Sequence, residues 1–190
     1  TAFGIEPSPE KVTIGLGHDW NILKTSVKAF PCALQAQSAL DALHTAISDN
    51  GLSVETIRQI EFSLPEAMRR IVDRPGVPAS RFGAAASLQF LSAAMLCDGD
   101  VLPARMEDNA RNDENLVSVM ANISIRHEPA LDALFPASWP ASVRIVTETA
   151  EFRAEVPNPP GHPERPIDMT TTIERFRSYG AGKLNASEQG

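Results

Sequence analysis

An apolar stripe with a helical period runs through the first third of the chain. Between residues 33 and 48, four apolar residues are spaced four, three and four positions apart: Ala36, Leu40, Leu43 and Ile47. This spacing places all four on one side of a helix, and Asn50-Gly51 supplies the usual end signal. The pattern predicts an amphipathic helix over residues 33–48 whose apolar side packs against a core.

A second helical region is apolar on nearly all its sides. Residues 81–96 are rich in alanine and include Phe82 and Phe90 among several large apolar residues. Such a helix lies at the centre of a fold, and its small residues let neighbours approach closely. The segment 97–100 ends it. At about 16 residues the stretch is too short to cross a membrane, which takes roughly 20.

Capping residues indicate two more helices. Asn112 or Asp113 precedes a helical segment that reaches about Ala121, and Asp168 precedes residues 169–179. Both residue types accept hydrogen bonds from the free N–H groups at the start of a helix. We therefore predict one helix in each segment.

Strands are predicted where apolar and polar residues alternate. Alternation or β-branched runs occur at four places: residues 57–62, 123–126, 142–146 and 151–156. The last two are separated by a tight turn, so they predict a hairpin. Two extended pieces are also expected near the start of the chain, at residues 11–14 and 22–27.

The order of these elements predicts an α+β fold, with a small mixed or antiparallel sheet packed against helices. Residues 1–157 are expected to form the main domain. Residues 158–180 are expected to hold a proline-rich strap and a last helix, because five prolines between 157 and 166 exclude a sheet interior. Residues 181–190 are expected to be a disordered tail.

Composition and charge exclude several classes of protein. The chain has 190 residues, 43% of them hydrophobic, and a net charge of −7. Its two cysteines cannot staple a secreted mini-domain, and an acidic pI near 5.1 argues against nucleic-acid binding. The first residues lack the basic and apolar regions of a signal peptide, so a cytoplasmic protein without membrane attachment is expected. Because the sequence starts at Thr1, we expect a piece of something longer.

Most motifs that suggest chemistry have a simpler explanation. Gly15-Leu16-Gly17 lacks the third glycine of a dinucleotide fingerprint, since Trp20 stands there, and a turn is the better interpretation. The four histidines have no i,i+4 partner, and neither cysteine has a neighbouring one, so no metal site is predicted. Ser87 does not lie in a Gly-x-Ser-x-Gly elbow, which leaves a hydrolase triad without support.

The segment from Lys28 to Cys32 is the best candidate for binding chemistry. It lies between a predicted strand and the start of a predicted helix, where a cation beside free N–H groups can hold a carboxylate or phosphate. The alternative, a simple exposed lysine, stays open. Gln37, Asp41 and His44 follow as a polar stripe, which in most proteins is a solvated face.

Several motifs in order along the chain resemble the MmgE/PrpD family. Lys28-Ala29-Phe30-Pro31-Cys32 with Ala39-Leu40-Asp41-Ala42 is similar to its Lys-x-Tyr-Pro-Cys…Ile-Asp-Ala pattern. Residues 81–100, with Ser87-Leu88-Gln89-Phe90, resemble a later helix of the family. Three further segments are similar to its strand, strap and closing helix: residues 140–143, 161–166 and 174–177.

The resemblance implies a function and an architecture. Family members are lyases and isomerases, among them 2-methylcitrate dehydratases, cis-aconitate decarboxylases and iminodisuccinate epimerases. They act on small di- or tricarboxylates without metal or organic cofactor, by removing a proton next to a carboxylate. They combine a large all-helical domain with a smaller α+β lid, and they are usually homo-oligomers. This chain resembles the lid, so its expected partners are a di- or tricarboxylate and a helical domain absent from these residues.

The same resemblance suggests site residues. Lys28 matches the family lysine that faces the cleft, and Gln37, Ser87 and Phe90 are the other expected substrate contacts. Gln37 stands where many members have His, and Phe90 where Tyr is common, so no catalytic residue is assigned in this chain. Two hypotheses follow: the lid of a larger lyase or isomerase, or a free-standing module that binds a carboxylate or a partner and catalyses nothing.

Overall fold

A computed structural model describes residues 8–180. Within this range the chain forms eight α-helices, three short 3-10 helices and one four-stranded sheet. The helices are α1 (Pro9–Thr13), α2 (Gln37–Asn50), α3 (Glu66–Val72), α4 (Arg81–Ala86), α5 (Leu88–Asp98), α6 (Glu114–Met120), α7 (Pro129–Asp132) and α8 (Met169–Gly180). The strands are β1 (Ile57–Leu64), β2 (Ile123–His127), β3 (Ala141–Thr147) and β4 (Glu151–Val156). The predicted α+β class is confirmed.

The sheet is mixed, with the order β2-β1-β3-β4. β1 pairs in parallel with β2 and antiparallel with β3, and β3 and β4 form the predicted antiparallel hairpin. The parallel pair requires a crossover, which helices α3 to α6 supply. The sequence pattern located all four strands, but it did not specify this pairing.

One face of the sheet forms the core and the other faces solvent. Ile60 pairs with Ile145 and Phe62 with Val143, and all four side chains are almost completely buried. Helices α2 and α5 lie in the same core cluster. The opposite face carries ion pairs such as Arg144 with Glu151, 2.8 Å apart. Successive side chains of a strand point to opposite faces, so one strand can place apolar residues in the core and charged residues in solvent.

Helix α2 confirms the prediction from the apolar stripe. It ends at Gly51, whose φ of +58° is the left-handed conformation that glycine adopts without steric cost. It begins at Gln37, because Leu34–Ala36 form a 3-10 turn first. Helix α6 and the capping by Asp113 are also confirmed, since its carboxylate accepts hydrogen bonds from the N–H groups of Asn115 and Leu116. The capping role of Asp168 is confirmed by its bond from Thr171 N.

The predicted continuous helix over residues 81–96 is wrong, because the chain breaks at Ser87. Ser87 has an extended conformation and its Oγ accepts a hydrogen bond from Phe90 N, so it starts a new helix, α5. A serine side chain competes with the backbone in this way and favours a cap over a helix interior. Helices α3 and α7 were not predicted; both are short and carry little periodic signal.

The extended pieces predicted near the start of the chain are also wrong. Residues 9–13 form α1, in which Pro9 occupies the first turn, and Asn21–Lys24 form a 3-10 helix. Neither segment joins the four-stranded sheet, so the backbone of each lacks the partner strand that an extended conformation needs. The predicted turn at Gly15 is confirmed by the hydrogen bond from His18 N to Gly15 O (2.9 Å).

The strap follows β4 and leads to α8. The predicted tail at residues 181–190 lies outside the described residues. None of the helices between residues 8 and 180 has both the length and the apolar character needed to cross a membrane.

Candidate functional site

A groove of about 540 Å³ brings two cationic side chains to one surface. Lys28 comes from the loop before α2, and Arg74 from the loop between α3 and α4. The other lining residues are mainly apolar or small: Pro31, Cys32, Ala33, Gln35, Ile71, Phe82, Ala85 and Ala86. Phe82 is 85% exposed, so the groove has an open apolar wall beside its two cations.

Gln37 holds the loop that carries Lys28. Its side-chain Oε1 accepts a hydrogen bond from Phe30 N (3.0 Å), and its Nε2 donates to Phe30 O (2.8 Å). The same Nε2 donates to Cys32 Sγ (3.2 Å). Gln37 is completely buried, so these bonds satisfy polar groups that water cannot reach. Gln37 therefore supports the groove from behind and is not exposed in it.

Cys32 lines the groove but remains a neutral thiol. Burial raises the pKa of Cys32 to about 12, against the opposing effects of the Lys28 charge and the hydrogen bond from Gln37. A thiol with so high a pKa is a poor nucleophile at neutral pH, since the thiolate is the reactive form. We assign Cys32 a packing role at the floor of the groove.

Two buried polar side chains hold the loop that carries Arg74. Ser87 Oγ donates a hydrogen bond to Arg74 O (2.8 Å), and Gln89 Oε1 accepts one from Arg74 N (3.2 Å). Gln89 Nε2 also donates to Asp73 Oδ1 (2.8 Å). Arg74 therefore has a fixed backbone, and its Nε donates to Ile71 O (2.8 Å). Its exposed guanidinium keeps further donors for a ligand.

The structure separates the four predicted site residues. Lys28 is exposed in the groove. Gln37 and Ser87 lie one layer behind, each bonded to the backbone of a groove loop. Phe90 is completely buried in the core cluster and does not line the groove. At this position the chain therefore has no polar side-chain group, and the side chain does not reach the surface.

Sequence reasoning did not identify Arg74. The available signal was local: an arginine directly after the α3 segment and before Pro75-Gly76, at the start of a loop that cannot continue a helix. Nothing in that pattern places it at the same groove as Lys28. The two residues come together because the core packs α3 against the turn at Leu34–Ala36.

Residues 8–180 contain no group of three or more His, Cys, Asp or Glu side chains arranged to hold a metal ion. The groove lining within this range also contains no carboxylate or imidazole group. The groove can therefore bind an anion through its cations, but its own side chains do not supply a general base of ordinary pKa.

Comparison with known proteins places the chain in a family. A sequence model described as the MmgE/PrpD C-terminal domain matches residues 30–190. The chain is also similar to a 2-methylcitrate dehydratase of Cupriavidus necator, with 26% identity over 171 residues, covering 85% of this chain and 35% of that protein. The chain thus spans about a third of the length of this curated relative. It belongs to the MmgE/PrpD family and corresponds to the family's C-terminal domain.

Proposed function

We propose that the groove binds the carboxylates of a small di- or tricarboxylic acid through Lys28 and Arg74. The observation that carries this proposal is the pair of exposed cations on one apolar-walled groove. A guanidinium and an ammonium both form charge-assisted hydrogen bonds with carboxylates, and two cations suit an acid with two or more such groups.

The domain is, on this proposal, the lid of a lyase or isomerase of the 2-methylcitrate dehydratase type. In this reaction a base takes a proton from the carbon next to a carboxylate. The electron pair left on that carbon delocalises into the carboxylate until the leaving group departs or a proton returns. Lys28 and Arg74 stabilise this negative charge as it forms. The groove lining within residues 8–180 offers no carboxylate or imidazole, so the general base comes from an all-helical domain that closes over the groove. The 190-residue chain alone is then expected to be inactive.

Exposed apolar side chains near the start of the chain point to a face that another domain or a partner covers. The large side chains between residues 12 and 23 that are more than 60% exposed are Val12, Ile14, Leu16, Trp20, Ile22 and Leu23. Such a surface costs free energy in water and indicates a covered face. We expect the 190-residue chain to self-associate through it, and the variant Leu16→Gln/Leu23→Gln to sediment as a monomer. A wild-type chain that stays monomeric at high concentration would contradict a covered face here. The alternative function is a free-standing module that binds a carboxylate or a protein and catalyses nothing.

Calorimetric titration of citrate tests the binding role. Lys28→Ala and Arg74→Ala are each expected to raise the Kd about tenfold, because each removes a charge-assisted contact. Lys24→Ala is the matched control: it removes an exposed lysine that does not line the groove, so its Kd should stay within about twofold. Equal affinities in all four proteins, or no binding in any of them, would contradict the proposal.

The reading frame that encodes the chain tests the lid role separately. An all-helical domain encoded upstream would support a single-chain enzyme. A start codon directly before Thr1 would contradict the single-chain form.

A further inference from the structure

The backbone on both sides of Lys28 is held by the C-terminal part of the chain. Val27 N donates a hydrogen bond to Gly161 O (2.9 Å), and the Tyr179 hydroxyl donates one to Ala29 O (3.2 Å). The second contact joins residues 150 positions apart in sequence. Lys28 itself is exposed, so its place is determined by these neighbours and not by burial.

Helix α8 makes a further contact with the loop through Arg175. The guanidinium lies over the Phe30 ring, 5.1 Å from its centroid, which is the geometry of a cation–π interaction. Arg175 also forms an ion pair with Asp100, two residues after the end of α5. One side chain thus anchors α8 to the main domain and contacts the loop.

The strap approaches the loop at a distance that only glycine allows. Gly161 has a φ of +85°, and a Cβ at this position would lie 1.8 Å from Val27 O. Four residues later, Arg165 forms an ion pair with Asp41 of α2. The strap is therefore fixed to the same helix whose Gln37 holds Phe30.

We propose that Gly161, Arg175 and Tyr179 are positioning residues that hold the Lys28 loop in its carboxylate-binding geometry. The proposal rests on the proposed function of the groove. A loop held in place before binding loses less conformational entropy when the ligand arrives, so release of these contacts weakens binding without removing any ligand contact.

Citrate titration of the 190-residue chain tests this role with Tyr179→Phe, which removes one hydroxyl and leaves the charge unchanged. The Kd is expected to rise about threefold, the low end of coupling between neighbouring groups. Arg175→Ala should give a similar loss, and Arg175→Lys should recover part of it by keeping the ion pair. Arg177→Ala is the matched control, because this exposed arginine lies on the same helix and carries the same charge.

A double-mutant cycle separates positioning from general damage to the fold. If Tyr179 acts through Lys28, Tyr179→Phe should have no further effect on the Kd in a Lys28→Ala background, where Arg74 keeps binding measurable. Gly161→Ala should show the same dependence if it folds. Amide hydrogen exchange at Val27 and Lys28 should also be faster in Tyr179→Phe than in Arg177→Ala.

The outcomes distinguish this inference from the function on which it rests. A Kd that rises in Lys28→Ala but not in Tyr179→Phe would overturn the positioning role alone. An equal rise for Tyr179→Phe in both backgrounds would overturn it too, because the effect would not depend on Lys28. No change in Lys28→Ala itself would overturn the proposed function and the positioning role together.

Discussion

The two loops that supply the cations of the groove are held by similar hydrogen bonds, but from residues at different separations along the sequence. Each has its backbone bonded to buried polar side chains of a nearby helix: Gln37 for the Lys28 loop, and Ser87 with Gln89 for the Arg74 loop. Only the Lys28 loop is also held by residues of the strap and α8. The bonds to the backbone of Arg74 come from residues 13 and 15 positions away, and Arg111 holds the far end of the same loop from 33 positions away. One bond to the Lys28 loop comes from 150 positions away, so this loop depends on the closure of the whole fold.

This difference has a consequence for stability. Contacts between distant parts of the chain form late and require the intervening chain to be ordered, while local contacts form with their helix. The Lys28 loop should therefore report the integrity of the whole domain. The Arg74 loop should report the integrity of α3, of α5 and of the segment that carries Arg111.

The largest effect is expected from Gln37→Leu. It leaves Phe30 N buried without a partner and removes one of two bonds to Phe30 O, which keeps the bond from Cys32 N (2.9 Å). The free energy of unfolding should fall by about 2 kcal/mol. Urea unfolding measures this change. Gln59→Leu, on the exposed side of β1, is the control, and its free energy of unfolding should stay within about 0.5 kcal/mol of the wild-type value. Equal stability of the two variants would show that the Lys28 loop does not depend on Gln37.

Ser87→Ala should have the next largest effect. It removes the cap of α5 and the hydrogen bond to Arg74 O, for a loss of about 1.5 kcal/mol. Ser80→Ala is the matched control, since Ser80 also caps a helix but is exposed, and its hydroxyl accepts a bond from Gly83 N of that same helix. A loss of about 0.5 kcal/mol is expected there. If Ser80→Ala cost as much as Ser87→Ala, the bond to the Arg74 loop would contribute nothing.

Acid should lower the stability of helix α3, which leads into the Arg74 loop, by protonating Glu66. Hydrogen bonds from Arg69 and Arg70 lower the pKa of Glu66 to about 2, from an ordinary 4.5. Because the folded pKa is the lower one, this stabilisation is present above about pH 4.5 and is lost as the pH falls towards 2. Glu66→Gln should make urea midpoints less dependent on pH across that window, and an unchanged dependence would exclude Glu66 as a contributor.

The smallest effect is expected at an ion pair outside both loops. Arg58 and Glu148 lie 2.6 Å apart, with side chains 53% and 70% exposed. Water and salt screen such a pair, so Glu148→Gln should change the free energy of unfolding by less than about 0.5 kcal/mol and leave citrate binding unchanged. A larger loss would mean that the open face of the sheet contributes more than solvated charges normally do.

Local patterns predicted the elements that support the groove better than the groove itself. The stripe from Ala36 to Ile47 and the alternation in β1 each carry a period that only one type of element satisfies. The break at Ser87 was missed because the apolar run of sixteen residues suggests one helix, whereas the Ser87 side chain caps a second helix in the middle of the run. The segment 11–14 looked like a strand, but strand formation requires a partner strand, and the sheet has none for it.

By itself, the sequence determined the α+β class, the positions of α2, α6, α8 and all four strands, the family, and Lys28 as the candidate cation. Each of these depends on a local period, a capping residue or a motif that resembles the family's pattern. The tertiary structure alone decided that Arg74 shares a groove with Lys28, that Gln37 and Ser87 hold the groove loops from behind, and that Gly161 and Tyr179 contact the residues on either side of Lys28. These relations join residues far apart along the chain, and only the packing of the core brings them together.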